Sequence, residues 1–131
     1  MSVLKKKSKL TKVESVPKLI AKAVLKFHAF IRKRDQDKPC ISCGKYTTLQ
    51  AGHFYSAGNY PALRFDEDNV NGQCKKCNYF LSGNLTEYEK NLRERIGDEK
   101  VEALHLKAAQ YKRLGFKWNR FYLLEVIEKY K

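Results

Sequence analysis

The sequence predicts an α+β fold in which a small, turn-rich core is stapled by one metal ion and flanked by an N-terminal helix and several C-terminal helices. Three observations carry this prediction. Two C-x-x-C pairs, Cys40/Cys43 and Cys74/Cys77, bracket an interval of 30 residues. Apolar residues recur at helical spacing before the first pair and again beyond Gly83,. The interval itself carries only short β-like pieces, around Tyr46–Leu49 and Ala62–Phe65, broken by Gly52, Gly58, Asn59 and Gly72,. A chain of 131 residues has room for one domain with elaborated ends,.

Residues 1–13 hold Lys5, Lys6, Lys7, Lys9 and Lys12 and few apolar groups, so the burial that would offset ordering entropy is lacking and a mobile basic arm is expected,. Residues 14–36 form the first helix: Ser15 suits its cap and Pro17 its first turn, and Leu19, Ile20, Ala23, Val24, Phe27, Phe30 and Ile31 make its stripe,. Lys18, Lys22, Lys26 and Lys33 lie off that stripe, where they are either solvated or in contact with phosphate; Lys22 and Lys26 here, with Lys5, Lys6, Lys7 and Lys9 of the arm, are DNA-binding candidates,. Residues 37–97 are the metal-bound core, ending in a helix from Leu85 to about Ile96. Residues 98–131 add helices from Asp98 to Arg113 and, after the Gly115 break, from Lys117 to Tyr130,.

Charge points to the partner. The net charge is +13 and the pI about 9.7, more than solubility asks for, so a polyanion is the default partner,. Residues 1–39 alone hold 12 Lys/Arg against 3 acids. No apolar run approaches the roughly 20 residues of a membrane span, and the lysines near Met1 lack the apolar run of a signal peptide, so no membrane contact and a cytoplasmic location are expected,. Thiols stay reduced there, and cysteines read first as metal ligands or redox groups. The spacing favours one four-thiolate Zn²⁺ over a thioredoxin-like dithiol, because there are two pairs and no βαβ pattern around either,. A closed four-sulfur site leaves no position for substrate, so chemistry belongs to the residues between and just after the pairs. His53 lies there; His28 and His105 fall within helical patterns and are expected to be structural or exposed,.

His53, Asn69 five residues before Cys74, and Asn78 directly after Cys77 resemble the HNH (ββα-metal) nuclease motif in its zinc-bound, four-cysteine form. A longer set of features narrows the resemblance: Ala29-Phe-Ile-Arg, Pro39-Cys-Ile-Ser-Cys-Gly, Ala51-Gly-His, Leu63-Arg-Phe, Gln73-Cys, Cys77-Asn, Ser82-Gly-Asn-Leu, Tyr88 and Arg95-Ile-Gly. In this order they are similar to the phage lambda NinG (Rap) recombination proteins, over residues 29 to about 103. The resemblance implies a treble-clef-like HNH core and a phage or prophage endonuclease of branched DNA and Holliday junctions, working in a bacterial host. It implies that His53 is the general base, that Asn69 braces the loop orienting it, and that Asn78 ligates a catalytic Mg²⁺ or Mn²⁺. Arg64, Lys75 and Lys76 flank this site as candidate phosphate contacts,.

Many HNH enzymes carry Asp immediately before the base; here Gly52 stands there, with Gln50 two residues earlier. Asp66, Glu67, Asp68 or Asn84 are candidates for the missing oxygen. Two other functions stay open: a zinc-stabilised nucleic-acid-binding module without catalysis, and a sequence-specific homing-type HNH endonuclease. Because each chain carries one His53 and a four-way junction needs two nicks, a homodimer is expected. Its surface would be the last helix, with Trp118, Phe121, Leu124 and Ile127 in one stripe widened by Tyr122, Leu123 and Val126,. The competing role for that helix is to pack back within its own chain.

Overall fold

The computed structural model describes residues 13–131. Lys5, Lys6, Lys7, Lys9 and Lys12 lie outside the described residues. Helix α1 (Val16–Arg34) starts where Ser15 caps it, the hydroxyl accepting from the Lys18 N–H at 3.4 Å, with Pro17 in the first turn; such a cap contributes about 1 kcal/mol. Leu19, Ala23, Phe27 and Ile31 recur every fourth residue and are buried. Asp35 ends the helix. Its buried carboxylate takes two bonds from Arg34, both 2.8 Å, and one from the Gly72 N–H at 2.8 Å, so the end of α1 is tied to the sheet.

The sheet has two strands, β1 (Gln50–His53) and β2 (Val70–Gln73), paired antiparallel with Gln50 opposite Gln73 and His53 opposite Val70. Between them a short 3₁₀ turn covers Pro61–Leu63, and after β2 a π-helical turn covers Lys76–Phe80. Then follow α2 (Leu85–Ile96), α3 (Asp98–Leu114) and α4 (Arg120–Lys129). The arrangement is α+β, with helices on both faces of a minimal sheet.

Three expected boundaries move. Tyr46–Leu49 is loop, with Tyr46 exposed, and β1 begins one residue later, where Gln50 meets its partner in β2. Ala62–Phe65 is no strand either: Pro61 lacks an N–H for a ladder and presets the 3₁₀ turn that drops Leu63 into the core,. The last helix starts at Arg120, not Lys117, because the Asn119 side chain accepts from the N–H groups of Phe121 and Tyr122 and fixes the start there,.

Alternation along the strands splits the packing. Ala51 and Val70 face a first core made with Leu19, Ala23, Phe27 and Ile31 of α1, Phe65, and Leu123 and Val126 of α4. A second core joins Ile41 and Leu63 to Tyr88 and Leu92 of α2 and Val101, Leu104 and Ala108 of α3. A third cluster is small: Leu49 with Cys40, Cys74 and Cys77. Helix α4 therefore packs back on α1 within its own chain. Of the stripe proposed for dimerisation, Trp118 and Ile127 lie against the first core, while Phe121 and Leu124 stay exposed.

Candidate functional site

The two C-x-x-C turns bring their four sulfur atoms within 4.8 Å of one another, the one such cluster among the described residues. Gly44, in the left-handed region at φ +75°, lets the first turn close, its N–H donating to the Cys40 carbonyl at 2.9 Å,. Backbone N–H groups of Cys74 and Cys77 point at the sulfurs of Cys40 and Cys74, and Asn84 Nδ2 lies 3.6 Å from the Cys77 sulfur. Donors aimed at sulfur favour thiolates, and four thiolates so close could hold a metal such as zinc, whose Zn–S bonds of about 2.3 Å set sulfurs about 3.8 Å apart. Asn84 is thereby occupied at the sulfur cluster.

His53 is the last residue of β1 and is half-buried. Its Nε2 lies 3.0 Å from the Arg64 carbonyl, which can only accept, so Nε2 carries the proton and Nδ1 keeps a lone pair,. Nδ1 has no partner among the described residues. Burial, and next the nearby Arg64 charge, lower the imidazole pKa against the opposing pull of that carbonyl. The ring is neutral at pH 7 and able to take a proton.

Asn69 secures the loop that supplies the carbonyl. It is fully buried: Oδ1 accepts from the Tyr55 N–H at 2.8 Å, and Nδ2 donates to the carbonyls of Tyr55 and Leu63, both at 3.0 Å. Leu63 adjoins Arg64, so Asn69 fixes the turn that presents the Arg64 carbonyl to His53. Tyr88, from α2, adds a hydroxyl bond to the Gly52 carbonyl at 2.7 Å. Asn69 reaches no solvent and acts through the loop.

Asn78 sits at the other end of β1, its Nδ2 donating to Gln50 Oε1 at 2.9 Å on the surface. The absent Asp has a steric reason. A Cβ on Gly52 would lie 2.1 Å from Oε1 and 2.6 Å from Cβ of Gln73, whose fully buried side chain is anchored by bonds from Nε2 to Ser42 Oγ at 2.9 Å and the Gly83 carbonyl at 2.6 Å. Asp66 is held by Lys107 at 3.0 Å and by the Asp68 N–H, and Glu67 by Tyr130 and Lys129. The oxygen beside Asn78 is that of Gln50.

Lys75 and Lys76 are exposed at the start of the π-helical turn. On α1, Lys26 is exposed without an acidic partner among the described residues, whereas Lys22 pairs with Glu14 at 2.5 Å. Among the described residues, Arg64 bonds no acid, and its Nε is buried without a partner. His105 bridges Tyr55 and Glu89, a structural role. His28 does not stay apart from the site: its ring lies 5.8 Å from that of His53, centroid to centroid. No local pattern announces this, because the contact exists only once α1 has packed on β1.

Comparison with known proteins adds three findings. The profile of a family described as Bacteriophage Lambda NinG protein matches residues 2–131. The chain is 45% identical to "Protein ninG" of Escherichia phage 933W over 104 residues, 76% of this chain and 52% of that protein. It is 49% identical to "Protein ninG" of Escherichia phage lambda and 51% to that of Salmonella phage P22, each over 79 residues, 59% of this chain and 39% of the relative. The chain thus spans about half the length of the first of these relatives, or less of the others. No solved structure matches. Among the described residues, no helix is long and apolar enough to cross a membrane.

Proposed function

From the premise that this chain belongs to the bacteriophage lambda NinG family, we propose that it is a metal-dependent endonuclease of branched DNA, built on an HNH core that a four-cysteine structural zinc closes. The observation that carries the reading is the setting of His53: Nε2 tied to a backbone carbonyl, Nδ1 free, and the carbonyl held by Asn69. A general base needs this arrangement, with its tautomer fixed and its lone pair open. Nδ1 takes a proton from water as the water oxygen bonds to phosphorus; the P–O3′ bond breaks, leaving a 5′-phosphate and a 3′-oxygen that is protonated from solvent. His53 then returns its proton to solvent.

A Mg²⁺ or Mn²⁺ ion, when bound, would supply positive charge to the strained phosphate and the leaving 3′-oxygen. The residues that would hold such an ion are Asn78 and Gln50, whose amide oxygens are hard, neutral donors at the end of β1 opposite His53, with the DNA phosphate contributing the negative charge,. Lys26, Lys75, Lys76 and Arg64 supply phosphate contacts, and Lys5, Lys6, Lys7 and Lys9, outside the described residues, add positive charge in the sequence before them. Two copies acting on one four-way junction in the host cytoplasm would give the paired nicks, and the mass of the protein–junction complex in sedimentation tests that stoichiometry.

One observation favours a second reading, a zinc-stabilised DNA-binding module without catalysis: among the described residues, no carboxylate bonds to Asn78. A single comparison separates the two. A four-way junction and a linear duplex of the same sequence are incubated with the protein, with and without Mg²⁺ or Mn²⁺. The endonuclease reading expects metal-dependent cutting of the junction that His53→Ala lowers by about a hundredfold or more, with junction affinity nearly unchanged. Junction binding without any cutting would leave the binding module.

A further inference from the structure

Two buried nitrogens near His53 bond to nothing among the described residues: Nε2 of His28, on α1, and Nε of Arg64, in the loop before β2. Buried polar atoms in folded proteins are nearly all partnered, so each orphan calls for a specific explanation, such as a catalytic role or a bound water or ion. These two converge on one imidazole. The His28 ring lies 5.8 Å from the His53 ring at a 56° tilt, and Arg64 is the residue whose carbonyl orients His53. Arg32 stands one helical turn beyond His28 on the same face of α1. Neither Arg32 nor Arg64 has an acidic partner among the described residues, although Arg34 and Arg93 are each paired with carboxylates. Burial first, then His53, Arg32 and Arg64, push the pKa of His28 down to about 4, which leaves a neutral imidazole among cations at pH 7. Clustered guanidinium groups with open donors and no acid make a site for an anion.

We propose that His28, Arg32 and Arg64 form a phosphodiester cradle beside His53, making α1 part of the reaction site: the Nε2–H of His28 and the Arg64 guanidinium donate to non-bridging oxygens of the phosphate that the water at His53 attacks. The naming of that phosphate as the scissile one rests on the endonuclease reading; the anion site does not. A phosphodiester suits the cradle because Arg32, one turn along α1 from His28 and on the same face, is exposed and continues the positive surface along the strand backbone,.

The test uses the full chain with its metal and the dinucleotide dTpdT as probe, read by ¹H–¹⁵N NMR of the histidine side chains. Signals of His28 and His53 should shift together along one binding curve while His105 stays still, and Arg64→Gln should weaken binding at least about tenfold. A His28 signal that ignores dTpdT overturns the proposal. On the junction, His28→Ala should lower the single-turnover cleavage rate about 100- to 1000-fold, as the loss of one transition-state donor does, with affinity changed less than about twofold. His28→Gln, which places an N–H near the same point, should recover most of the rate. His28→Ala cutting at the parent rate would also overturn it. The two readings fail separately: a parent that never cuts while His28 answers dTpdT removes the endonuclease and keeps the cradle. Cutting that depends on His53 but not on His28 does the reverse.

Discussion

Asn69 and Asn78 are the same residue in two employments, and their surroundings decide which. Asn69 spends its amide inside the protein, on Tyr55 and Leu63, whereas Asn78 meets only Gln50 at the surface, where an incoming ion or phosphate can compete for it. The histidines divide in the same way. His105 is satisfied by Tyr55 and Glu89, while His28 and His53 keep open nitrogens and are held neutral by burial and neighbouring arginines. That neutrality has a consequence for stability. Both folded-state pKa values lie below 6.5, so below that pH the unfolded chain binds more protons than the folded one,. Stability contributed by the two rings is therefore present above pH 6.5 and is lost as pH falls toward the His28 value of about 4. Melting temperature should decline over this window, and the decline should be shallower in His28→Gln. Protonation of the cysteine sulfurs acts on both proteins alike, so the difference between the two curves isolates His28; identical curves would contradict the buried, neutral ring.

At the scale of elements, helices were legible in the sequence because their signals are local. Ser15, Pro17 and the fourfold recurrence of apolar residues mark α1, and Gly97 and Gly115, both at positive φ, separate α2, α3 and the last helix. The strands were not legible. Val70–Gln73 contains one large apolar residue, and it is a strand because its neighbours make it one: Gly72 donates to Asp35, Asn71 to Tyr88, and Gln73 reaches Ser42 and Gly83. The cysteine staple and His53 could be read from spacing and from the NinG resemblance, but the approach of His28 needed the packing of α1, and the reason for Gly52 needed the side chain of Gln73. That last contact yields a prediction. Restoring Asp at position 52 should not repair a metal site; it should drive a Cβ into Gln73 Oε1 and cost about 1–3 kcal/mol, the usual range for overpacking,. Gln73→Gly loses the bonds to Ser42 and Gly83 but vacates the space, including the Cβ that would lie 2.6 Å away. The double variant Gly52→Asp with Gln73→Gly should thus be more stable than the sum of the single changes predicts, a coupling that denaturant unfolding measures. Strict additivity would mean that the two side chains do not compete for one volume.

Across the whole molecule, the three apolar clusters are unequal, and the inequality says what a metal at the four cysteines would have to do. The first core joins α1, the sheet and α4; the second joins α2 and α3 to Ile41 and Leu63. The third has Leu49 as its single non-cysteine member. It must nevertheless hold the loop before β1 to the turn after β2, and so set Gln50 against Asn78 and keep His53 in register with Val70. One aliphatic side chain contributes about 1.5–3 kcal/mol, too little to order two loops, whereas a four-thiolate zinc binds with about 10–16 kcal/mol in small zinc-dependent folds. If zinc supplies that closure, the purified chain carries one zinc per molecule. Replacing any one of Cys40, Cys43, Cys74 or Cys77 with Ser should release the metal and broaden the NMR signals of Gly52, Asn69 and Asn78. Helices α2 and α3, which keep much of their mutual packing, should lose order later. Stripping the metal with a strong chelator should lower the melting temperature sharply and, on the endonuclease proposal, abolish junction cutting that added Mg²⁺ alone does not restore, while zinc followed by Mg²⁺ does. A chain purified without stoichiometric zinc, melting at the same temperature in chelator, would show that the sulfur cluster closes the fold by itself.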